Sequence, residues 1–225
     1  MISIIIPVLN EEKNIVDLLK SLSCIKGPKE IIVVDGGSRD NTVELSREYA
    51  KVIRSKKGRA NQMNQGAKCA KGDILWFVHS DSIIDENSLE IIEETIRKGS
   101  IAGGFSLYFH DSNNVFLKYI ALTSNLRADY TKLFFGDQGI FMKKDIFHEI
   151  GGYPKIAIME DFQFSLELKK KKGKVMRVKG RIGTSSRRFR EGGIFRTFLF
   201  MQKMKILYIF GVSPEKLNKI YREAR

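Results

Sequence analysis

The sequence predicts an α/β fold: a mostly parallel sheet with helices on both faces and a C-terminal helical extension. Three observations carry this. Near-continuous runs of β-branched and apolar residues at 2–7, 31–34 and 74–78 read as strands buried on both faces. The stretches between them place apolar residues at helical spacing. The two kinds of segment alternate through residue 97, and such alternation favours parallel strands joined by right-handed crossovers.

Each element has its own signal. The first strand, 2–7, ends at Pro7, which turns the chain. Asn10 stands at a helix N-cap position, with Glu11 and Glu12 in the first turn, where the helix dipole favours carboxylates. Ile15, Leu18, Leu19 and Leu22 form the apolar stripe of that helix, which Gly27-Pro28 stops. The second strand, 31–34, meets Asp35-Gly36-Gly37, and Asp40 or Asn41 caps the next helix. Val52-Ile53 make a short third strand. A helix rich in Asn and Gln spans 58–70. The fourth strand, 74–78, ends in His79-Ser80-Asp81, and a helix covers 86–97. Beyond it the pattern loosens. It reads as a strand at 102–109, a helix at 115–126, a short strand at 139–142 after a Gly-Asp-Gln-Gly turn, a helix at 160–172 and a strand at 174–178. An apolar-aromatic helix at 194–210 and a polar one at 214–222 follow. Residues 1–190 read as one domain and 191–225 as the extension.

Composition bounds the class. Of 225 residues 43% are hydrophobic and 29% charged, with 19 Gly and 4 Pro, which excludes collagen-like and disordered chains. The formal charge is +13, from 39 Lys and Arg against 26 Asp and Glu. Such a charge attracts phosphates, whether of nucleotides, nucleic acid or anionic lipid. It is concentrated late, since residues 169–190 hold many Lys and Arg and no Asp or Glu. Cys24 and Cys69 lack a CxxC spacing and are expected to be buried thiols in a reducing compartment. No signal peptide and no membrane-spanning run is expected. The expected location is cytoplasmic, at most peripheral on the inner face of the membrane.

In doubly wound sheets ligands bind outside the carboxyl ends of the strands, which selects three tips. After the first strand, Asn10 and Glu11 can face a ligand or simply form a capped strand-to-helix turn. After the second, Asp35 can accept hydrogen bonds from a base or ribose, Gly36 and Gly37 let backbone approach a ligand, and Ser38 and Asp40 can add polar contacts. A glycine turn with a helix cap is the plain alternative. Neither GxxxxGK[ST] nor GxGxxG is present. After the fourth, Asp81 can hold a divalent cation that bridges a diphosphate, with His79 as a second ligand or a hydrogen-bonding neighbour. In the second half Asp137 can touch a donor sugar or an acceptor, or merely shape a turn.

These motifs together resemble the inverting family-2 glycosyltransferases. "SIIIPVLNEE", "IIVVDGGSRDNT" and "GRANQMNQGAKCAKGDILWFVHSDS" match that family in order and spacing, and "FFGDQGIFM", "GGYP" and "IMEDFQFSLEL" match its acceptor half. The resemblance covers nearly the whole chain and is strongest to small prokaryotic members of undefined substrate. It implies the GT-A fold and transfer from a nucleoside-diphosphate sugar, UDP being the commoner choice, to a hydroxyl acceptor. It implies that Pro7, Asn10 and Glu11 line the nucleoside pocket and that Asp35, Ser38 and Asp40 lie at the base or ribose. Arg59 and Asn64 would face the donor, and Asp137, Gln138 and Glu160 the donor sugar or acceptor. Asp81 would be the second acid of a metal-binding D-x-D element for Mn2+ or Mg2+, and Asp161 the general base. Two positions depart from the pattern. His79 replaces the first Asp of D-x-D. "SSRRFREGG" only loosely resembles the Q-x-x-R-W element of processive members, so a processive synthase is disfavoured.

The 194–210 helix carries a wide apolar surface interrupted by Arg196, Lys203 and Lys205, behind a basic run at 169–172. It fits an anionic membrane and a lipid-linked acceptor, a helix packed on the sheet, or a second copy of the chain. Two other classes fit the sequence less well. A nucleotidyltransferase would place a glycine-rich basic loop after the first strand, where this chain has Val8-Leu9-Asn10-Glu11. A nucleic-acid-binding protein would show a zinc-finger, RNP or helix-turn-helix pattern, so no nucleic-acid partner is expected.

Overall fold

The computed structural model describes residues 1–224. Its strands are β1 (Ile2–Val8), β2 (Lys29–Asp35), β3 (Lys51–Arg54), β4 (Ile74–Phe77), β5 (Ile83–Ile84), β6 (Ser100–Phe109), β7 (Phe141–Lys143) and β8 (Lys174–Thr184). They form an eight-stranded sheet in the order β3-β2-β1-β4-β7-β6-β8-β5. The helices are α1 (Ile15–Cys24), α2 (Thr42–Arg47), α3 (Arg59–Cys69), α4 (Ser88–Arg97), α5 (Val115–Thr131), α6 (Lys144–Ile150), α7 (Glu160–Lys170), α8 (Arg187–Gly192), α9 (Ile194–Ile209) and α10 (Pro214–Glu223).

The first half is the parallel sheet that the alternation demands. β1 pairs in parallel with β2 and β4, and β2 with β3. Consecutive β1 residues point to opposite faces, so one strand feeds two cores. Ile4 and Ile6 pack with α1 and α4 through Leu18, Leu22, Leu89 and Ile92. Ile5 packs with α3, α6 and α7 through Met63, Phe147 and Phe164. Helix α3 sits very close to the sheet, because a Cβ at Gly66 would lie 2.4 Å from Ile5 Cγ2.

The second half breaks the parallel rule. β7 runs antiparallel to both β4 and β6, β6 and β8 run parallel, and β5 is antiparallel to β8. Several boundaries also move. β1 continues through Pro7, which lies beyond the last β1–β4 pair, Ile5 with Phe77. On that side the N–H that proline lacks is not required. Asn10 caps no helix: it is left-handed, with φ 56°, and α1 starts at Ile15 behind Asn14. β8 extends to Thr184 because Gly180 and Ile182 are buried between exposed Lys179 and Arg181, a period-2 pattern hidden within a basic run. β5, α6 and α8 carried no periodic signal, being two to seven residues long. Cys24 and Cys69 are free thiols, and Cys24 is exposed rather than buried.

The last two helices pack on the domain. Met204 of α9 and Leu217 of α10 are buried against Met159 and Phe162 at the start of α7. Among the described residues no helix is long and apolar enough to cross a membrane.

Candidate active site

The tips of β1 and β2 are knitted into one surface. Asp35, only 1% exposed, accepts the Ser38 N–H at 2.8 Å through Oδ1. The Asn10 N–H donates to Ser38 Oγ at 2.9 Å, and Asn10 Oδ1 accepts the Arg39 N–H at 2.9 Å. Asp40 accepts N–H bonds from Glu12 and Thr42 and the Thr42 hydroxyl. Slight burial works against its charge, but these donors hold it below the ordinary carboxylate range. Glu11 accepts from Asn14 Nδ2 at 2.8 Å. Ser38 and Asp40 therefore shape the loops, while Asp35 is buried at the β2 tip beneath them.

Beneath this surface lies a residue that sequence reasoning passed over. Gln62 of α3 is buried, and its Nε2 donates to Val8 O at 2.7 Å and Val34 O at 2.8 Å. It ties the last carbonyls of β1 and β2 together. Its only signal was the Asn- and Gln-rich character of an otherwise ordinary helix. Asn64, two positions on, bonds the Tyr153 backbone at both ends of its carboxamide, each at 2.8 Å. It joins α3 to the second half of the chain.

The acidic centre forms where β4, the Gly136–Gln138 turn and α7 meet. Asp161 Oδ2 accepts the Gly136 N–H at 3.0 Å, and Oδ1 accepts the adjacent Phe162 N–H at 2.7 Å. A Cβ at Gly136 would lie 2.7 Å from His79 Nε2 and 3.8 Å from Asp161 Oδ2, so the β4 tip and the α7 start close on the same glycine. Met159, just before α7, is a non-glycine residue at φ 70°. Strained backbone of this kind concentrates at functional sites.

Charge is crowded here. Burial raises the Asp81 pKa, as does nearby Glu11, while Arg187 and Arg59 oppose the rise. Burial pushes Asp137 up to about 6 against the pull of Arg127, with Asp161 and Asp81 adding repulsion. Its Oδ1 is buried without a hydrogen-bond partner. Glu160, 8% exposed, is raised by burial and by Asp161, and Arg59 partly offsets this. His79 keeps some solvent contact, yet surrounding protein atoms and Arg59 lower it to about 3, so it is a neutral imidazole near pH 7. Arg59 lies at the rim of the site with its side chain exposed. Crowding lowers its pKa, but Glu160, Asp161, Tyr221 and Asp81 outweigh that and raise it. The site thus gathers Arg59, His79, Asp81, Asp137, Glu160 and Asp161. Gln138 is fully buried, its Oε1 accepting from Arg127 at 2.7 Å, and it positions that arginine.

No group of three or more metal-ligating side chains is present among the described residues. Asp81 and a neutral His79 are still a fitting pair of donors. Mg2+ and Mn2+ are commonly held by one or two protein groups, with substrate phosphates and water completing the shell. The partnerless buried Oδ1 of Asp137 and the raised Asp81 both mark a place where positive charge would be stabilising.

A model of "Glycosyl transferase family 2" matches residues 3–151, more than half of the chain. A poly-beta-1,6-N-acetyl-D-glucosamine synthase of Staphylococcus epidermidis is 29% identical over 114 residues, covering 45% of this chain and 28% of that protein. The chain therefore spans under a third of the length of that relative. S. aureus TarS, residues 1–349, superposes with a TM-score of 0.67 at 22% identity, covering 82% of this chain and 60% of that one. The mannosyltransferase PcManGT of Pyrobaculum calidifontis, solved with GDP-Man and Mn2+, also gives 0.67, at 19% identity over 99% of this chain and 68% of that one. These likenesses establish the GT-A fold. With two thirds of its residues under the family model and that fold beneath them, the chain belongs to glycosyl transferase family 2.

Proposed function

We propose that this chain transfers a sugar from a nucleoside-diphosphate sugar to a hydroxyl acceptor with inversion at the anomeric carbon. The observation that carries the reading is Asp161, half-buried at a helix N-terminus and oriented by the Gly136 N–H at 3.0 Å, beside the β4 tip. A carboxylate so held can take the proton of an acceptor hydroxyl as its oxygen attacks the anomeric carbon. The nucleoside diphosphate departs from the opposite face, taking the electrons of the broken C–O bond.

Asp35 would receive the base or ribose at the β2 tip, with Pro7, Asn10 and Glu11 along the same edge. Arg59 and Arg187 would face the diphosphate, where preorganised cations stabilise growing negative charge. Asp81 and His79 would hold the divalent metal, which when bound supplies further neutralisation of the leaving group. Asp137 and Glu160 would face the transferred sugar. A structure of TarS contains UDP-GlcNAc, and one of a Mycobacterium tuberculosis glucosyl-3-phosphoglycerate synthase contains UDP and Mn2+. We take UDP as the donor nucleotide and Mn2+ as the first metal to try. Residues 191–225 act as an extension of the catalytic domain.

The test is thermal stabilisation by UDP, GDP and dTDP, each with and without manganese, on wild type and Asp81→Ala. A ligand at a hundred times its Kd adds about 2.7 kcal/mol to unfolding. We expect one nucleotide to stabilise the wild type in a manganese-dependent way, and Asp81→Ala to lose the dependence. Absence of a shift with every nucleotide would remove the donor site from this edge of the sheet.

A further inference from the structure

Helices α5 and α9 lie side by side. Phe116 of α5 stacks on Phe195 of α9 with centroids 4.1 Å apart and meets Phe198 edge-on at 5.4 Å. Farther along, the Phe135 ring lies 4.0 Å from Arg127 Cζ of α5 and 5.3 Å from Lys205 Nζ of α9. Phe116 and Arg127 are separated by about 16 Å of helix. One end of the helix pair is thus aromatic, and the other brings two cations to a shared ring.

Both cations feel the charges of Asp137 and Asp161. Lys205 senses Arg127, Asp137 and Asp161, whereas Arg59 senses Glu160, Asp161 and Asp81. Asp161 is therefore common to two cationic groups, Arg59 with the Asp81 side and Arg127 with Lys205 on the Asp137 side. Arg127 is tethered to Gln138 Oε1 and Leu133 O. The half-buried Lys205 ammonium has neither a hydrogen bond nor an ion pair among the described residues. Two neighbouring cations, one of them without a hydrogen bond or ion pair among the described residues, form a place for an incoming anion.

The outer faces of the same helices are apolar. On α5, Tyr119, Leu122, Leu126 and Tyr130 form one exposed stripe, Tyr130 being 83% exposed. On α9, Phe195, Leu199 and Ile206 continue it, with Leu199 at 63%. A contiguous face of this kind, beside Lys118, Arg196 and Lys203 in a chain of charge +13, matches a surface that is both oily and negatively charged.

We propose that the acceptor is an anionic lipid whose headgroup bears a phosphate and a free hydroxyl. The phosphate sits at Arg127 and Lys205, the hydroxyl reaches Asp161, and the joined faces of α5 and α9 rest in the hydrocarbon. In the step, the lipid hydroxyl oxygen bonds the anomeric carbon, its proton passes to Asp161, and the bond to the nucleoside diphosphate breaks. The acceptor role rests on the transferase reading; membrane docking does not, so the two can fail separately.

The full chain is sedimented at low salt with vesicles of phosphatidylcholine alone and of equal parts phosphatidylcholine and phosphatidylglycerol. Binding only to the anionic vesicles is expected. Lys205→Ala should weaken it about fivefold, the effect of one basic residue at such a surface. Lys26→Ala, at the far end of the sheet, should not. Leu199→Ser with Ile206→Ser should abolish it. With labelled donor, label should then appear in the phosphatidylglycerol fraction and disappear in Lys205→Ala. Failure to bind either vesicle, or binding indifferent to phosphatidylglycerol and to Lys205, overturns the proposal. So does thermal protection by glycerol 3-phosphate without vesicle binding, which assigns the cations to a water-soluble phosphate. A dimer by light scattering that Leu199→Ser splits, with no vesicle binding, would assign the face to a second copy and equally overturn it.

Discussion

An alanine at position 136 would place its Cβ 2.7 Å from His79 Nε2 and 2.9 Å from His79 Cε1. Comfortable heavy-atom contacts lie near 3.5 Å or more, so the imidazole or the 136–138 turn must yield by roughly 0.8 Å. The backbone does not object, since Gly136 is absent from the positive-φ glycines. The whole penalty is thus the contact with His79. Overpacking of this kind costs about 1–3 kcal/mol. For a chain of this size that lowers Tm by about 2–4 °C per kcal/mol. The same substitution shifts the N–H that orients Asp161, and a displacement near 1 Å at a reacting group can cost about a hundredfold in rate. Urea unfolding of Gly136→Ala, His79→Ala and the double variant forms a cycle that isolates the contact. The loss caused by Gly136→Ala should be present when His79 is intact and nearly absent in the His79→Ala background. Equal losses in both backgrounds would show that glycine is required at this position for some other reason, and would refute the close packing of the β4 tip on this turn.

Further outcomes test the remaining assignments. Asp161→Asn should keep nucleotide-dependent stabilisation while transfer falls by about 10²–10⁴; survival of transfer would move the base elsewhere. Asn64→Ala removes two bonds to the Tyr153 backbone and should lower stability by about 1–3 kcal/mol with donor affinity unchanged; a nucleotide titration showing weakened binding would place Asn64 at the donor after all. Asp137 is raised from 3.8 to about 6. The folded state therefore binds its proton more tightly than the unfolded state, and stability falls as pH rises through about 4 to 6. The ceiling is about 3 kcal/mol. Urea midpoints across that window should slope less in Asp137→Asn, and an unchanged slope would contradict the burial of this carboxyl.

The parallel half of the fold was legible because its signals are local. Ile2 to Ile6 are apolar at nearly every position, as a strand buried on both faces requires, and Leu18, Leu19 and Leu22 repeat at helical spacing. The strand-tip rule then located Asp35, His79 and Asp81 without coordinates. The left-handed turn at Asn10 was not legible, since it answers to Ser38 and Arg39 from the neighbouring loop. Nor was the antiparallel β7, whose direction is decided by the partners on either side of a three-residue strand.

Residue chemistry alone therefore determined the class of fold, the edge proposed to bind a ligand, and the acidic and basic groups available there. Tertiary structure decided how those groups share the space. It joined Gly136 to Asp161 and His79 across separate segments and committed Asn64 and Gln138 to the scaffold. It also brought Arg127 and Lys205, 78 positions apart, to one ring. The division has a physical cause. Periodicity and caps depend on neighbours within one turn or strand, whereas the charge state and reach of a site residue depend on atoms that only the folded chain brings near.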